Sequence, residues 1–127
     1  MLIKKEIDKT KQLTIFTVSG EIDFDELLEN YQSYYDDVQP SKNMLWDFRS
    51  AKRGNKLSQK RLQHFVSFPK KYEHKRPVGK TAYVVEGDLG FGMGRMVMAY
   101  VELLDSKVDV NVFRSMNEAI QWLEADE

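Results

Sequence analysis

Strand-like and helix-like segments alternate along the whole chain, and this alternation is the feature that most restricts its fold. Apolar and polar residues alternate, or apolar residues run together, in five predicted strands at 3–7, 13–18, 44–48, 81–85 and 108–113. A helical pattern follows every strand except the first. The order β-β-α-β-α-β-α-β-α predicts an α/β fold, with a mixed, mostly parallel five-stranded sheet and about four helices. Only the N-terminal hairpin has to be antiparallel.

Capping residues and apolar stripes predict where the helices begin and which faces they bury. Asp23, Ser58 and Ser115 precede the first, second and fourth helical patterns and can accept hydrogen bonds from free backbone N–H groups. Pro69 is expected to kink or end the second helix. The predicted core-facing stripes are Phe24, Leu27, Leu28, Tyr31, Tyr35 and Val38 in the first helix, and Met93, Met96, Val97, Tyr100, Val101 and Leu104 in the third.

The composition limits the classes of protein to which the chain can belong. Its 127 residues suit one domain, predicted to span 1–127, and it has no cysteine. Disulfides, thiol catalysis and cysteine metal sites are therefore excluded. No apolar run approaches the roughly 20 residues that a transmembrane helix needs, and no signal peptide is evident. We therefore expect a cytoplasmic protein without a transmembrane segment, and the sequence predicts no cofactor.

A net charge of -1 conceals two blocks of opposite charge. Residues 21–39 contain seven acids and no Lys or Arg, whereas residues 49–80 contain eleven Lys or Arg and one acid, Glu73. A solvated basic face is the preferred interpretation, and an acidic partner, anionic lipid or nucleic acid are the alternatives. Aromatic residues are not regularly interleaved with the basic ones, so we expect no specific nucleic-acid binding.

The glycine-rich stretch 87–96 is the strongest candidate for a ligand site. It follows the fourth strand, and in a strand-to-helix loop the backbone N–H groups can face an anion. Gly90, Gly92 and Gly94, with the guanidinium of Arg95, are the predicted ligand or anion contacts. The spacing does not match the dinucleotide-binding fingerprint. A structural role is the preferred interpretation, because glycines permit unusual dihedral angles and let a helix approach a sheet closely.

A second candidate lies where the third strand ends, at the edge of the sheet where α/β sites gather. Asp47 and Arg49 are added to the speculative ligand-binding set, although a structural Asp47–arginine pair is preferred to a general base. Ser50 is a possible phosphoacceptor. His64 and His74 lack the further ligands of a metal site, so no metal is predicted. No catalytic motif is found.

Three segments together resemble the SpoIIAA-like family of small bacterial proteins, also described as STAS/SEC14-domain proteins. They are Trp46-Asp47-Phe48, the run 89–96 and the closing run 112–123, which carries an F-x-S-x-x-E-A-x-x-W-L pattern. The resemblance implies an α/β fold with a mixed sheet wrapped by helices. Most members of this family have no established activity.

The resemblance implies two alternative functions, each known from a better-understood group of relatives. Anti-sigma-factor antagonists bind a kinase and are switched by phosphorylation of a serine in a D-S-S-G motif. Here residues 47–52 read D-F-R-S-A-K, so this role is not transferred to Ser50. Lipid-transfer relatives hold apolar ligands between a helix and the sheet, which implies a groove beside the third helix.

Our leading hypothesis from sequence is a non-enzymatic, STAS-like interaction or regulatory domain that forms a homodimer and contacts a protein partner. The alternative is a binding protein for a small apolar or anionic ligand, which uses residues 90–95 and the groove beside the third helix. A weaker third hypothesis is an enzyme. An exposed apolar patch would favour the first and a pocket beside residues 90–95 the second, whereas clustered, perturbed titratable groups would favour the third.

Overall fold

The computed structural model describes residues 1–54 and 58–125, apart from the side chains of Asp88 and Leu89. Strands β1 to β5 are Leu2–Asp8, Leu13–Glu21, Asn43–Lys52, Lys80–Val84 and Asp109–Phe113. Helices α1 to α4 are Phe24–Asp36, Gln59–Ser67, Gly87–Leu104 and Met116–Glu124. A 3₁₀ helix, Phe68–Lys75, continues directly from α2 and has Pro69 in its first turn. The predicted α/β class and element order are confirmed.

The five strands form one sheet in sequential order, β1-β2-β3-β4-β5. β1 pairs antiparallel with β2, and the other three pairings are parallel. Because every parallel crossover advances in the same direction, connections of one hand place their helices on one face of the sheet. α1, α2 and α3 share that face, and α4 packs on the opposite face.

The core on the three-helix face is built around Trp46 of β3, whose side chain is fully buried. Its ring stacks on Phe16 with a centroid distance of 4.3 Å. Tyr31 of α1 and Phe65 of α2 lie 5.2 and 5.6 Å from the same ring. Aromatic rings therefore join the sheet to two helices, which explains the large apolar residues at these positions.

The opposite face of the sheet carries a smaller core beneath α4. Ala119 and Leu123 pack on a buried patch of the central strands, formed by Leu45, Ala82 and Val84. The cap of this helix is the predicted one, because the Ser115 hydroxyl accepts a hydrogen bond from the Glu118 N–H. The caps predicted for α1 and α2, Asp23 and Ser58, are present as well.

Several local predictions differ from the structure. β3 continues to Lys52 rather than ending at Phe48, because β2 also extends after a bulge and pairs with it as far as Lys52. α1 ends at Asp36, so Val38 is fully exposed instead of belonging to the apolar stripe. Met96 of α3 is also exposed, because it lies on the side of the helix away from the sheet.

Two residues of the basic block are structural, which departs from the expected solvated face. Arg76 and Lys80 are both more than nine-tenths buried at the amino end of β4. The Arg76 guanidinium donates hydrogen bonds to the hydroxyl of Thr81 and to two backbone carbonyls. The Lys80 ammonium donates to the carbonyls of Trp122 and Ala125, which holds the end of α4 against the sheet.

Candidate functional site

A cavity of about 250 Å³ lies at the carboxyl ends of β3 and β4, between the sheet and α1, α2 and α3. We call it the α1–α3 cavity. Most of its lining is apolar, and a few charged side chains lie among the apolar ones. The lining residues are Ile22, Phe24, Leu27, Phe48, Arg49, Ala51, Arg53, Leu62, Phe65, Tyr83, Val85, Glu86, Gly90, Met93, Gly94 and Val97.

Four aromatic side chains form much of the cavity wall. Phe65 of α2 is central, with ring centroids 6.2 Å from Phe24, 6.4 Å from Phe48 and 6.2 Å from Tyr83. Its plane is inclined by 56 to 79° to these rings. The wall therefore presents both ring edges and ring faces, which is the arrangement that aromatic groups prefer around one another.

Tyr83 supplies a buried hydroxyl to the cavity wall. Burial raises the pKa of Tyr83 well above its usual range, although the neighbouring Tyr31 hydroxyl lowers it in part. The pKa of Tyr31 is raised as well, mainly by burial. Both phenols are thus protonated near neutral pH. A proton-abstracting role for either tyrosine is disfavoured.

Asp47 and Arg49 form a tight ion pair beside the cavity. The Arg49 Nε donates to Asp47 Oδ1 at 3.0 Å and its second guanidinium nitrogen donates to Oδ2 at 2.9 Å. The Arg49 backbone N–H donates to Oδ1 as well. Burial raises the pKa of Asp47, but the hydrogen bonds and the charge of Arg49 outweigh it, so the pKa is lowered overall. The carboxylate is therefore a weak base that orients Arg49.

We expect Asp47→Asn to lower the free energy of unfolding at pH 7 by about 1–2 kcal/mol, a range discounted for the partial exposure of Arg49. Because the folded-state pKa of Asp47 is depressed, its contribution is complete above the unfolded pKa of about 3.9 and is lost as the pH falls through the lower folded value. Urea titrations between pH 7 and 2.5 should show the wild-type advantage shrinking below about pH 4. A difference that stays constant with pH would contradict this assignment.

Arg53 is an exposed cation at the mouth of the cavity. Within the described residues its guanidinium has no hydrogen-bond or ion-pair partner, in contrast to Arg49. Glu86 lies on the same rim, and its charge raises the pKa of Arg49 slightly, after the larger effects of Asp47. The rim therefore carries Arg49, which is paired with Asp47, Arg53, which has no partner within the described residues, and the carboxylate of Glu86.

The predicted glycine loop is a helix, and this part of the site prediction is wrong. α3 begins at Gly87, so the stretch forms roughly its first three turns. Only the first four N–H groups of a helix lack an intrahelical partner, and those of Gly92 and Gly94 lie beyond them. These two glycines therefore cannot offer backbone donors to an anion.

The predicted ligand contacts of this stretch lie on two sides of α3, because residues of a helix face different directions according to its periodicity. Gly90 and Gly94 line the cavity, together with Arg49 from the second candidate set. Gly92 and Arg95 are exposed and do not line it. Asp47 supports the site through Arg49.

The structural interpretation of the glycines fits two of them. A Cβ at Gly94 would lie 2.5 Å from Cγ1 of Val112 on β5, and one at Gly90 would lie 3.3 Å from Cβ of Val85. A Cβ at Gly92 would meet nothing within 4 Å. Gly94 thus permits the close approach of α3 to the sheet.

The sequence did not predict the aromatic wall as part of a site. Arg53 follows Asp47 in sequence and was considered only as an arginine that could pair with it. No local pattern marks them, because the wall draws on two helices and two strands. Two predictions pointed to this region: the groove beside the third helix and the site at the carboxyl end of the third strand.

The remaining candidates lie outside the cavity. Ser50, His64 and His74 are exposed. Among the described residues no group of three or more His, Asp or Glu side chains is arranged to hold a metal ion. No helix in the described part of the chain has the length and apolar character to cross a membrane.

Comparisons with known proteins add little to this geometry. No protein-family model matches the chain, and no curated protein matches it. One similar solved structure is the STAS domain of an antisigma-factor antagonist from Rhodobacter sphaeroides. It shares 13% sequence identity with the chain at a TM-score of 0.31, over 92% of this chain and 88% of that one. A likeness of this size assigns no family, so the SpoIIAA-like resemblance stays a prediction from sequence.

Proposed function

We propose that this protein is a non-catalytic binding domain that holds a small amphipathic anion in the α1–α3 cavity. The observation that carries the proposal is the cavity itself, with its apolar wall and with Arg53, which has no partner within the described residues, at the mouth. Ligand sites in proteins are typically concave and mostly apolar, with a few polar groups that fix orientation. The binding alternative considered from sequence is therefore preferred to the interaction hypothesis alone.

The chemistry of the cavity supports binding without catalysis. Among its described lining residues, the titratable side chains are Arg49, Arg53, Tyr83 and Glu86. The tyrosine is protonated, one arginine is paired with Asp47, and the other two groups lie on the rim. General acid–base chemistry needs a group that can exchange a proton with the substrate, and neither the protonated tyrosine nor the paired arginine is suited to abstract one.

A homodimer remains part of the proposal, and the outer face of α3 is the surface that favours it. Gly92, Met96, Ala99 and Leu103 repeat at intervals of four, three and four residues along this face, and Leu103 is 83% exposed. Such spacing is typical of helix pairs. In an antiparallel pair of α3 helices, Met96 would oppose Ala99 of the second copy and Leu103 would oppose Gly92, so that large residues meet small ones.

Charges beside this face fit the same arrangement. Arg95 and Glu102 flank the apolar residues, and both are exposed. Neither has a partner within the described residues. In the antiparallel pair, Arg95 of each copy would lie beside Glu102 of the other, which gives two ion pairs by symmetry. We propose that the domain acts in the cytoplasm, where ligand binding and contact with other proteins are coupled.

Native mass spectrometry of the protein purified from its own host tests both parts. We expect a dimer that retains a ligand of a few hundred daltons or less, released on denaturation. Leu103→Glu should give monomers that keep the ligand, because the cavity lies on the other side of α3. Glu124→Gln, an exposed charge change on α4, is the control. A monomeric wild type would reject the dimer, and ligand lost together with dimerisation would show that the cavity alone is not the site.

A further inference from the structure

We infer that the α1–α3 cavity selects a planar aromatic monoanion, such as an arylcarboxylate, rather than a flexible acyl chain. This inference rests on the proposed binding function and narrows its ligand class. It follows from three features of the cavity: its volume, its wall and the charges on its rim.

The volume limits the apolar part of the ligand. An apolar cavity of roughly 150 Å³ accommodates benzene, so about 250 Å³ accommodates a group somewhat larger than one ring. A bicyclic aromatic group meets this limit. A long acyl chain would leave most of its length in water, and its hydrophobic gain would be lost in proportion to the area left exposed.

The wall favours a flat ring over a chain of the same volume. Phe24, Phe48 and Tyr83 surround Phe65 with centroid separations of 6.2 to 6.4 Å. A ligand ring that lies against this wall can contact edges and faces at once, and aromatic pairs gain free energy beyond the area they bury. Met93 adds a polarisable thioether to the lining, which contacts aromatic rings favourably.

The rim favours a single negative charge. Arg53 has no partner within the described residues, so its planar guanidinium is available for bidentate pairing with a carboxylate. Arg49 donates two side-chain hydrogen bonds to Asp47, so fewer of its N–H groups are available to a ligand. Glu86 lies on the same rim, and its carboxylate would repel a second negative charge on the ligand.

Isothermal titration calorimetry with 2-naphthoate, 2-naphthamide and octanoate tests the inference. The amide has the shape of the naphthoate without its charge, and octanoate has the charge without the ring. We expect naphthoate to bind most tightly and naphthamide about three- to tenfold more weakly. Arg53→Gln should remove that difference, whereas Arg61→Gln, an exposed arginine of α2 outside the lining, should leave it unchanged.

A cavity-filling variant distinguishes a wrong ligand class, which would overturn this inference, from a wrong binding site, which would overturn the proposed function. Ala51→Phe places a ring in the cavity from β3 and should abolish binding of all three compounds, with folding checked by circular dichroism. Octanoate binding as tightly as naphthoate, or naphthamide equalling naphthoate, would overturn the aromatic monoanion and leave the cavity as the site. Binding that survives Ala51→Phe, or an absence of binding by every compound, would overturn the proposed function too.

Discussion

Trp46→Ala is expected to lower the free energy of unfolding by about 4 kcal/mol, within the usual range for large aromatic residues truncated in a core. The side chain is fully buried, and four other rings lie within 5.8 Å of its own. Its removal would leave a cavity, because the sheet and the two helices cannot move close enough together to fill the space. Urea denaturation followed by circular dichroism measures the change.

Trp122→Ala is the matched control for this prediction. Trp122 is half-buried on α4, where its ring packs on Phe113 and lies under the Lys80 ammonium. Folding buries less apolar surface at this position than at Trp46. We therefore expect the free energy of unfolding to fall by only about 1–2 kcal/mol. Equal losses for the two variants would show that Trp46 is not the centre of the core.

Gly94→Ala and Gly92→Ala are expected to change stability in opposite directions, although they lie two residues apart in one helix. Alanine at position 92 meets open space and should raise the free energy of unfolding by up to about 1 kcal/mol, the difference in helix propensity. Alanine at position 94 would place its Cβ 2.5 Å from Val112. The stiff valine side chain cannot yield easily, and the overpacking should cost about 1–3 kcal/mol.

Thermal and urea denaturation of both variants in the Leu103→Glu background test this prediction. That background removes any contribution from self-association through α3. A stabilised Gly94→Ala variant would mean that β5 moves to accommodate the methyl group. A destabilised Gly92→Ala variant would mean that its position needs the conformational freedom of glycine.

The element order was predictable from sequence because the signals that define it are local. Apolar periodicity reports which face of a segment is buried, and Asp23, Ser58 and Ser115 cap the helices through hydrogen bonds spanning two or three residues. Errors arose where a longer-range partner decided the outcome. β3 extends beyond its apolar run because β2 pairs with the extension.

The candidate site was predictable only in part. The cavity lies at the carboxyl ends of the parallel strands, as expected for a site in this fold class, and Gly90, Gly94 and Arg49 line it. Arg95 was placed with the glycines because it is adjacent to them in sequence. In a helix an adjacent residue points about 100° away, so helical geometry carries Arg95 to the outer face of α3.

Local patterns in the sequence predict the order of the strands and helices and most residues of the core. The sequential strand order, the burial of Arg76 and Lys80, and the different roles of Gly92 and Gly94 follow only from the packed fold. The same holds for the meeting of Phe24, Phe65 and Arg53 at one cavity. The difference lies in the range of the interactions. Periodicity and capping act within a turn or a strand, whereas a cavity and a buried cation depend on side chains that only the packed sheet and helices bring together.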